Sequence, residues 1–101
     1  MARDPRNGLV RSEFAYFLAR LAELQRAANE AAQALQLSPN EKDTRLLVVE
    51  TYEVLGKREF ALAALGNAPP GVLAQLNLYP DVADLHKDSR FLQLLASNHI
   101  H

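Results

Sequence analysis

Lys42 to Ala68 reads KDTRLLVVETYEVLGKREFALAALGNA, and this stretch decides the fold. Leu46, Leu47, Val48, Val49, Tyr52, Val54 and Leu55 spread apolar surface over more than one side of a helix, as expected of an element buried on several faces. Gly56 supplies the conformational freedom to leave that helix. After Lys57 and Arg58 a second apolar run follows, with Phe60, Leu62 and Leu65 set among small Ala61 and Ala64. Helix, short turn, helix is the pattern of a helical hairpin with its first helix at the centre of the molecule.

Upstream, Leu9 to Leu37 contains neither Pro nor Gly. Its apolar residues Phe14, Phe17, Leu18, Leu21, Leu24 and Ala28 keep to one helical face, the expected core face. At 1.5 Å per residue the stretch is either one helix of roughly 40 Å or two helices with a tight turn near Ala22 to Gln25. Local propensity alone favours one, since no breaker lies there. Ser38-Pro39-Asn40 ends it, because proline cannot donate to the preceding turn and biases its predecessor away from helix. Asn40 or Asp43 is the expected cap of the next helix. Met1 to Gly8, with Asp-Pro and Asn-Gly, is expected to be a disordered leader.

Downstream, Pro69-Pro70-Gly71 halts the hairpin. Val72, Leu73 and Leu76 fit a short helix, and Pro80 suits a first helical position with Val82 and Leu85 after it. Asp88 is the expected N-cap of Ser89 to Ser97, whose Phe91, Leu92, Leu94 and Leu95 would lie against the hairpin. Residues 98–101 are expected to be a flexible tail, leaving residues 9–97 as a single all-α domain. Composition agrees: 18 Leu and 16 Ala stand against seven Val plus Ile, and β-branched residues are what strands select. The chain has 101 residues, 49% of them apolar, enough for one modest core.

A formal charge of −1 argues against a nucleic-acid surface, whose affinity comes from clustered Lys and Arg. Without cysteine there is no disulfide, thiolate nucleophile or Cys-ligated metal. No run approaches the roughly 20 apolar residues of a membrane span, and the first ten residues lack the apolar segment of an export signal. A cytoplasmic protein is expected.

Sliding the chain by 34 residues sets Ala27 on Ala61, Ala34 on Ala68, Phe14 on Val48, Leu18 on Tyr52 and Leu21 on Leu55. Alanines recurring at one register suggest a repeated close crossing of two helices, since only small side chains permit one. This period and pattern resemble the tetratricopeptide repeat, a helix-turn-helix unit that stacks into a solenoid. Residues 45–65 match that pattern at Val48, Tyr52, Gly56, Ala61 and Leu65, and depart from it at Arg45, where tryptophan is usual, and at Val49. The preceding unit matches at Phe14, Ala15, Leu18, Ala27 and Pro39, and departs at Arg11, at Ala31 and in a turn without glycine.

The stretch PDVADLHKDSRFLQLL from Pro80 resembles the closing element found after the last such repeat of many bacterial regulatory proteins. Pro80, Asp81, Val82, Leu85, Asp88, Arg90, Phe91 and Leu94 fall into place, with Ser89 where proline is usual. The resemblance implies a helical-repeat fold of antiparallel hairpins with short C-terminal capping helices. It also implies a scaffold role for the end of a repeat array: binding a protein or peptide partner, without catalysis and without a cofactor.

Carried over position by position, the concave face of such a repeat would present Leu9, Ser12, Tyr16, Ala19 and Arg20 from the first unit and Asp43, Leu46, Glu50 and Glu53 from the second. Tyr16, Arg20, Leu46, Glu50 and Glu53 are therefore the candidate partner-binding residues, with Tyr16, Arg20 and Leu46 foremost, as aromatic and Arg side chains dominate interfaces. The Lys and Asn pairs with which some family members clamp a C-terminal carboxylate are replaced by Ser12, Tyr16, Leu46 and Glu50. His86, His99 and His101 are metal-ligand residue types but read as a surface histidine and an uncommitted tail. Ser12, Ser38, Ser89 and Ser97 sit at helix edges, where capping is their ordinary use, and no catalytic arrangement is expected. The alternative is a structural domain that pairs with a second copy of itself through one long N-terminal helix, whose apolar face the remaining chain could not cover.

Overall fold

Leu9 to Leu37 has no helix breaker, yet the chain reverses within it. The computed structural model describes residues 6–69 and 71–98, and it divides this run into α1 (Arg6–Arg20) and α2 (Leu24–Leu37). Ala22 makes the turn in the left-handed region, with φ 64°. The Glu23 amide donates to the Leu18 carbonyl at 2.9 Å and the Ala22 amide to Ala19 at 3.0 Å, the pair of bonds by which a helix end consumes its orphan carbonyls.

Packing overrides propensity here. Gly8, Ser12, Ala15 and Ala19 form a stripe of small buried residues on α1, and Ala27, Ala31, Ala34 and Ser38 form another along α2 and its C-cap. Both stripes step by four, three and four residues, the row that lies along one side of a helix. The two helices close on each other along them in the most extensive helix–helix contact of the fold. Gly8 sits so near α2 that a Cβ there would overlap Ser38. α1 already includes residues 6–8 of the stretch expected to be a disordered leader; residues 1–5 lie outside the described residues, as do His99 and His101 at the other end.

Of the face of α1 that reads as core, Leu18 is buried but most of the rest is not. Phe14, Phe17, Leu21 and Leu24 are exposed, because the small residues on the other side permit the closer approach. The single long helix on which the pairing alternative rests is not formed.

α3 (Lys42–Val54) and α4 (Arg58–Leu65) make the second hairpin. Its turn carries the same two bonds, Lys57 amide to Tyr52 carbonyl at 2.9 Å and Gly56 amide to Glu53 carbonyl at 3.1 Å, with Gly56 at φ 73°. α3 is central, as its pattern requires: it packs against α1, α2, α4 and the segment that follows, and Val48 and Val49 are fully buried. Its two buried threonines are satisfied locally. The Thr51 hydroxyl donates to the Leu47 carbonyl at 2.7 Å, and Thr44 donates to Glu41 Oε1 at 3.2 Å. Glu41, not Asn40 or Asp43, occupies the N-cap position.

Arg45, at the register where the repeat pattern has tryptophan, is buried. It reaches across to donate to the Ala64 carbonyl in the last turn of α4 at 2.7 Å and to the Pro39 carbonyl in the loop before α3. It thereby satisfies an orphan carbonyl at a helix end. Burial lowers its pKa from the ordinary guanidinium value.

The remaining segment covers the outer side of this hairpin. α5 (Val72–Leu76), a 3-10 turn (Pro80–Val82), α6 (Ala83–His86) and α7 (Ser89–Ser97) bury Val72, Leu76, Val82, Leu85, Phe91 and Leu95 in the same cluster as Val48 and Leu65. Leu92 points outward instead. Asp88 caps α7, accepting from the Arg90 amide at 2.8 Å. Asn98, the first residue of the expected tail, finishes the helix by donating from Nδ2 to the Leu94 carbonyl at 2.8 Å.

The described residues thus form an all-α domain of seven helices with adjacent helices packed antiparallel and no strand among them. Its extents of 42 × 30 × 19 Å are those of two helix layers, each about 10 Å deep. No helix among the described residues is long and apolar enough to cross a membrane.

Candidate functional site

Of the residues carried over from the repeat pattern, Leu46 and Glu50 come together in a shallow cleft of about 310 Å³ between α1 and α3, with Leu9, Glu13, Asp43, Leu47 and Tyr79. Tyr79 reaches it from the capping segment, a long-range contribution that the 34-residue comparison does not include. Leu46 and Glu50 are nearly closed off from solvent. Ser12 and Ala19 are buried in the α1–α2 crossing, and the Ser12 hydroxyl donates to the Leu9 carbonyl at 2.7 Å. Tyr16 is half-buried, Arg20 is exposed, and neither lines the cleft.

Glu53 serves another purpose. Its carboxylate accepts from Arg58 Nε at 2.6 Å and Nη2 at 2.9 Å, the bidentate geometry that makes Arg–carboxylate pairs strong. Arg58 also donates to Asp88 at 3.1 Å. Arg90 holds Asp88 from the other side, at 3.2 and 3.1 Å, and reaches Glu59 at 2.7 Å. The network ties the second hairpin to the N-terminus of α7. Hydrogen bonds from the Arg90 side chain and backbone, with Arg58 adding to them, hold the Asp88 carboxyl well below the usual carboxylate range. The Glu53 and Asp88 hydrogen bonds raise the Arg58 guanidinium, against a smaller lowering by burial.

A larger depression of about 540 Å³ lies between α4 and α7, rimmed by the Arg90–Glu59 pair and floored by Leu62, Ala63 and Leu94. His86 is oriented by its Nε2 at 2.7 Å from the Leu76 carbonyl and by stacking on Phe91 with ring centroids 5.7 Å apart. Among the described residues no group of three or more His, Asp or Glu could hold a metal ion.

The feature that stands out is the uncovered side of α1. Val10, Phe14, Phe17 and Leu21 step by four, three and four residues, and Leu24 at the start of α2 extends the row. Their exposures are 60%, 42%, 58%, 58% and 54%, on the order of 500 Å² of apolar surface together, at the upper end of what a soluble monomer shows in one patch. Among the described residues, the Arg26 guanidinium lies over it, 5.8 Å from the Phe14 ring centre. On either side of the row α1 is polar: Arg11 is tied to Glu30 at 3.0 Å and to Gln33 at 2.8 Å, and Glu13 and Arg20 are exposed on the opposite flank.

Thirty-four residues on, the same row in α3 is Thr44, Val48, Thr51 and Leu55. There it is covered: the first three are fully buried, Val48 in one cluster with Ala15, Ala31 and Ala34, and Leu55 packed against Leu18, Ala19 and Ala27. A search of the sequence for apolar periodicity finds the α1 row but assigns it to the core, because periodicity records that a face is apolar and not what covers it. No protein-family model, curated protein or solved structure matches this chain.

Proposed function

We propose that the chain is a protein-interaction module whose docking surface is the uncovered side of α1, and that its two hairpins are units of a tetratricopeptide-like helical repeat closed at the C-terminal end by α5 to α7. On this reading it performs no chemistry of its own and serves as the end of a scaffold of the kind found in bacterial regulatory proteins. The observation that carries the reading is positional. The row that α1 leaves open is the one that α3, at the same register, buries beneath the hairpin before it.

Further support comes from the turns. Ala22 and Gly56, 34 residues apart, share a left-handed backbone and the same pair of hydrogen bonds. The stretch from Pro80 to Leu95 behaves as a terminal cover should, with Val82, Leu85, Phe91 and Leu95 turned inward and Asp84, Lys87 and Arg90 exposed. The concave cleft between α1 and α3 supports the function less well, as Leu46 and Glu50 are buried, Glu53 is paired with Arg58, and Tyr16 and Arg20 do not line it.

The test is to add a designed helical hairpin upstream of α1, in 34-residue register, with apolar residues sized to fit between Phe14 and Phe17 at the positions facing α1. Neighbouring repeats stabilise one another through their interface, so the fusion should unfold in one transition at a higher temperature than the chain alone, and Phe17→Asp should abolish the gain. An unchanged melting temperature, or a separate transition for the added hairpin, counts against docking at this face.

A further inference from the structure

We infer that the uncovered side of α1 binds the same side of a second copy of this chain, the two α1 helices running antiparallel about a two-fold axis between Phe14 and Phe17. This rests on the reading of that face as a docking surface and names its occupant.

The spacing is self-complementary. With the axis midway between Phe14 and Phe17, each residue of the row meets another member of the row: Phe14 stands opposite Phe17 of the second copy, and Val10 opposite Leu21. These are the alternating layers by which antiparallel helices interdigitate. The charges follow the same symmetry. Glu13 and Arg20 flank the row on one side, two turns apart, and both are exposed; among the described residues neither is hydrogen-bonded or ion-paired through its side chain. Antiparallel pairing sets Glu13 of each copy within about 3 Å, measured along the helix axis, of Arg20 of the other. The pair occurs twice. Parallel pairing would instead set Glu13 beside Arg11 of the other copy, a guanidinium already tied to Glu30 and Gln33, and would leave Arg20 without a counter-charge.

Architecture excludes the other symmetric arrangement. Head-to-tail stacking would need the outer side of the second hairpin, and α5 to α7 already cover it. With the outer side of the second hairpin already covered, the isologous pair is the assembly that satisfies the patch without growing into a filament. Two such faces with their flanks would bury on the order of 1,200 Å², the lower end of specific interfaces, which implies a dimer that dissociates on dilution.

The experiment is sedimentation of the full chain over a hundredfold range of concentration, with four variants. The expected result is a mass rising from 11.2 kDa to twice that value. Glu13→Arg and Arg20→Glu should each weaken the dimer roughly tenfold, because both symmetric pairs become repulsive, and the double exchange should restore it. Phe14→Asp with Phe17→Asp should leave a monomer whose circular dichroism is that of the parent, which excludes unfolding as the cause. A monomeric parent at every concentration up to about 1 mM overturns the proposal, as does a dimer indifferent to the paired aspartates. A dimer lost with the aspartates but blind to both charge reversals overturns the antiparallel register. If the parent is monomeric while the upstream hairpin still stabilises it, the occupant is wrong and the docking face stands; if the hairpin also fails, the face itself is wrong.

Discussion

Replacing Ala22 with glycine should make the protein more stable, and the sign of that effect tests the division of residues 9–37 into two helices. Ala22 has φ 64°, where its Cβ crowds the following carbonyl at a cost of about 1–2 kcal/mol. Glycine removes that crowding but widens the unfolded ensemble, which returns about 0.4–1 kcal/mol. Relief of the crowding outweighs the added unfolded-state entropy, so the net gain is on the order of 0.5–1 kcal/mol, a rise in melting temperature of roughly 3–6 °C for a domain of this size. Ala22 is exposed, so no packing is lost. Gly56→Ala is the mirror experiment: no atom lies within 4 Å of the added Cβ and φ is 73°, so its cost of about 1 kcal/mol is conformational alone. Thermal melts by circular dichroism, supported by denaturant titration with an unchanged slope, read both effects. In a continuous helix Ala22→Gly would instead lose about 1 kcal/mol, and a fall in melting temperature would refute the turn.

Two other substitutions probe the crossing and the cap. Gly8→Ala normally gains helix propensity, but here the new Cβ meets Ser38 and lies 3.0 Å from the Ala34 carbonyl; overpacking of this kind costs about 1–3 kcal/mol, and Ser38→Gly in the same chain should recover part of the loss in a chemical melt. Asp88→Asn keeps the cap acceptor and removes the charge facing Arg58 and Arg90. Because the folded Asp88 pKa is depressed, its contribution is present above the unfolded carboxyl value and fades as the pH falls below about 4. The variant should therefore melt below the parent at neutral pH, with the gap narrowing in acid; a gap of constant size down to about pH 2 would contradict the ion-pair role.

The second hairpin and the closing segment are legible in the sequence because their signals are local. Gly56 marks its turn, the proline pair precedes α5, and Asp88 caps the helix that follows it. The first hairpin is not legible in the same way. Its reversal depends on eight small residues distributed over α1, α2 and the α2 C-cap, and it passes through an alanine that gives no warning of a left-handed backbone. Arg45 shows a related limit. By residue type it departs from the repeat pattern, yet its length lets it bridge Ala64 and Pro39 from inside the fold, a role visible only once α4 and the preceding loop are in place.

The candidate site is half legible for a reason that bears on its occupant. The 34-residue comparison aligns Phe14 with Val48 and Leu21 with Leu55, and the alignment holds as register while failing as environment: one row is covered and the other open. The side chains also differ in bulk. Where α3 presents Thr, Val, Thr and Leu to a close cover, α1 presents Val, Phe, Phe and Leu to none. A face shaped for water would carry polar groups at these positions, and one shaped for an alanine-lined crossing would have no need of two phenylalanines. Bulky residues at a four-three-four spacing set a partner helix at the wider end of the roughly 8–10 Å range of helix separations and leave holes between them for the partner's own bulky residues. The row that best fills those holes is one with the same spacing and size. Glu13 and Arg20 then distinguish one direction of approach from the other, which a purely apolar face could not do.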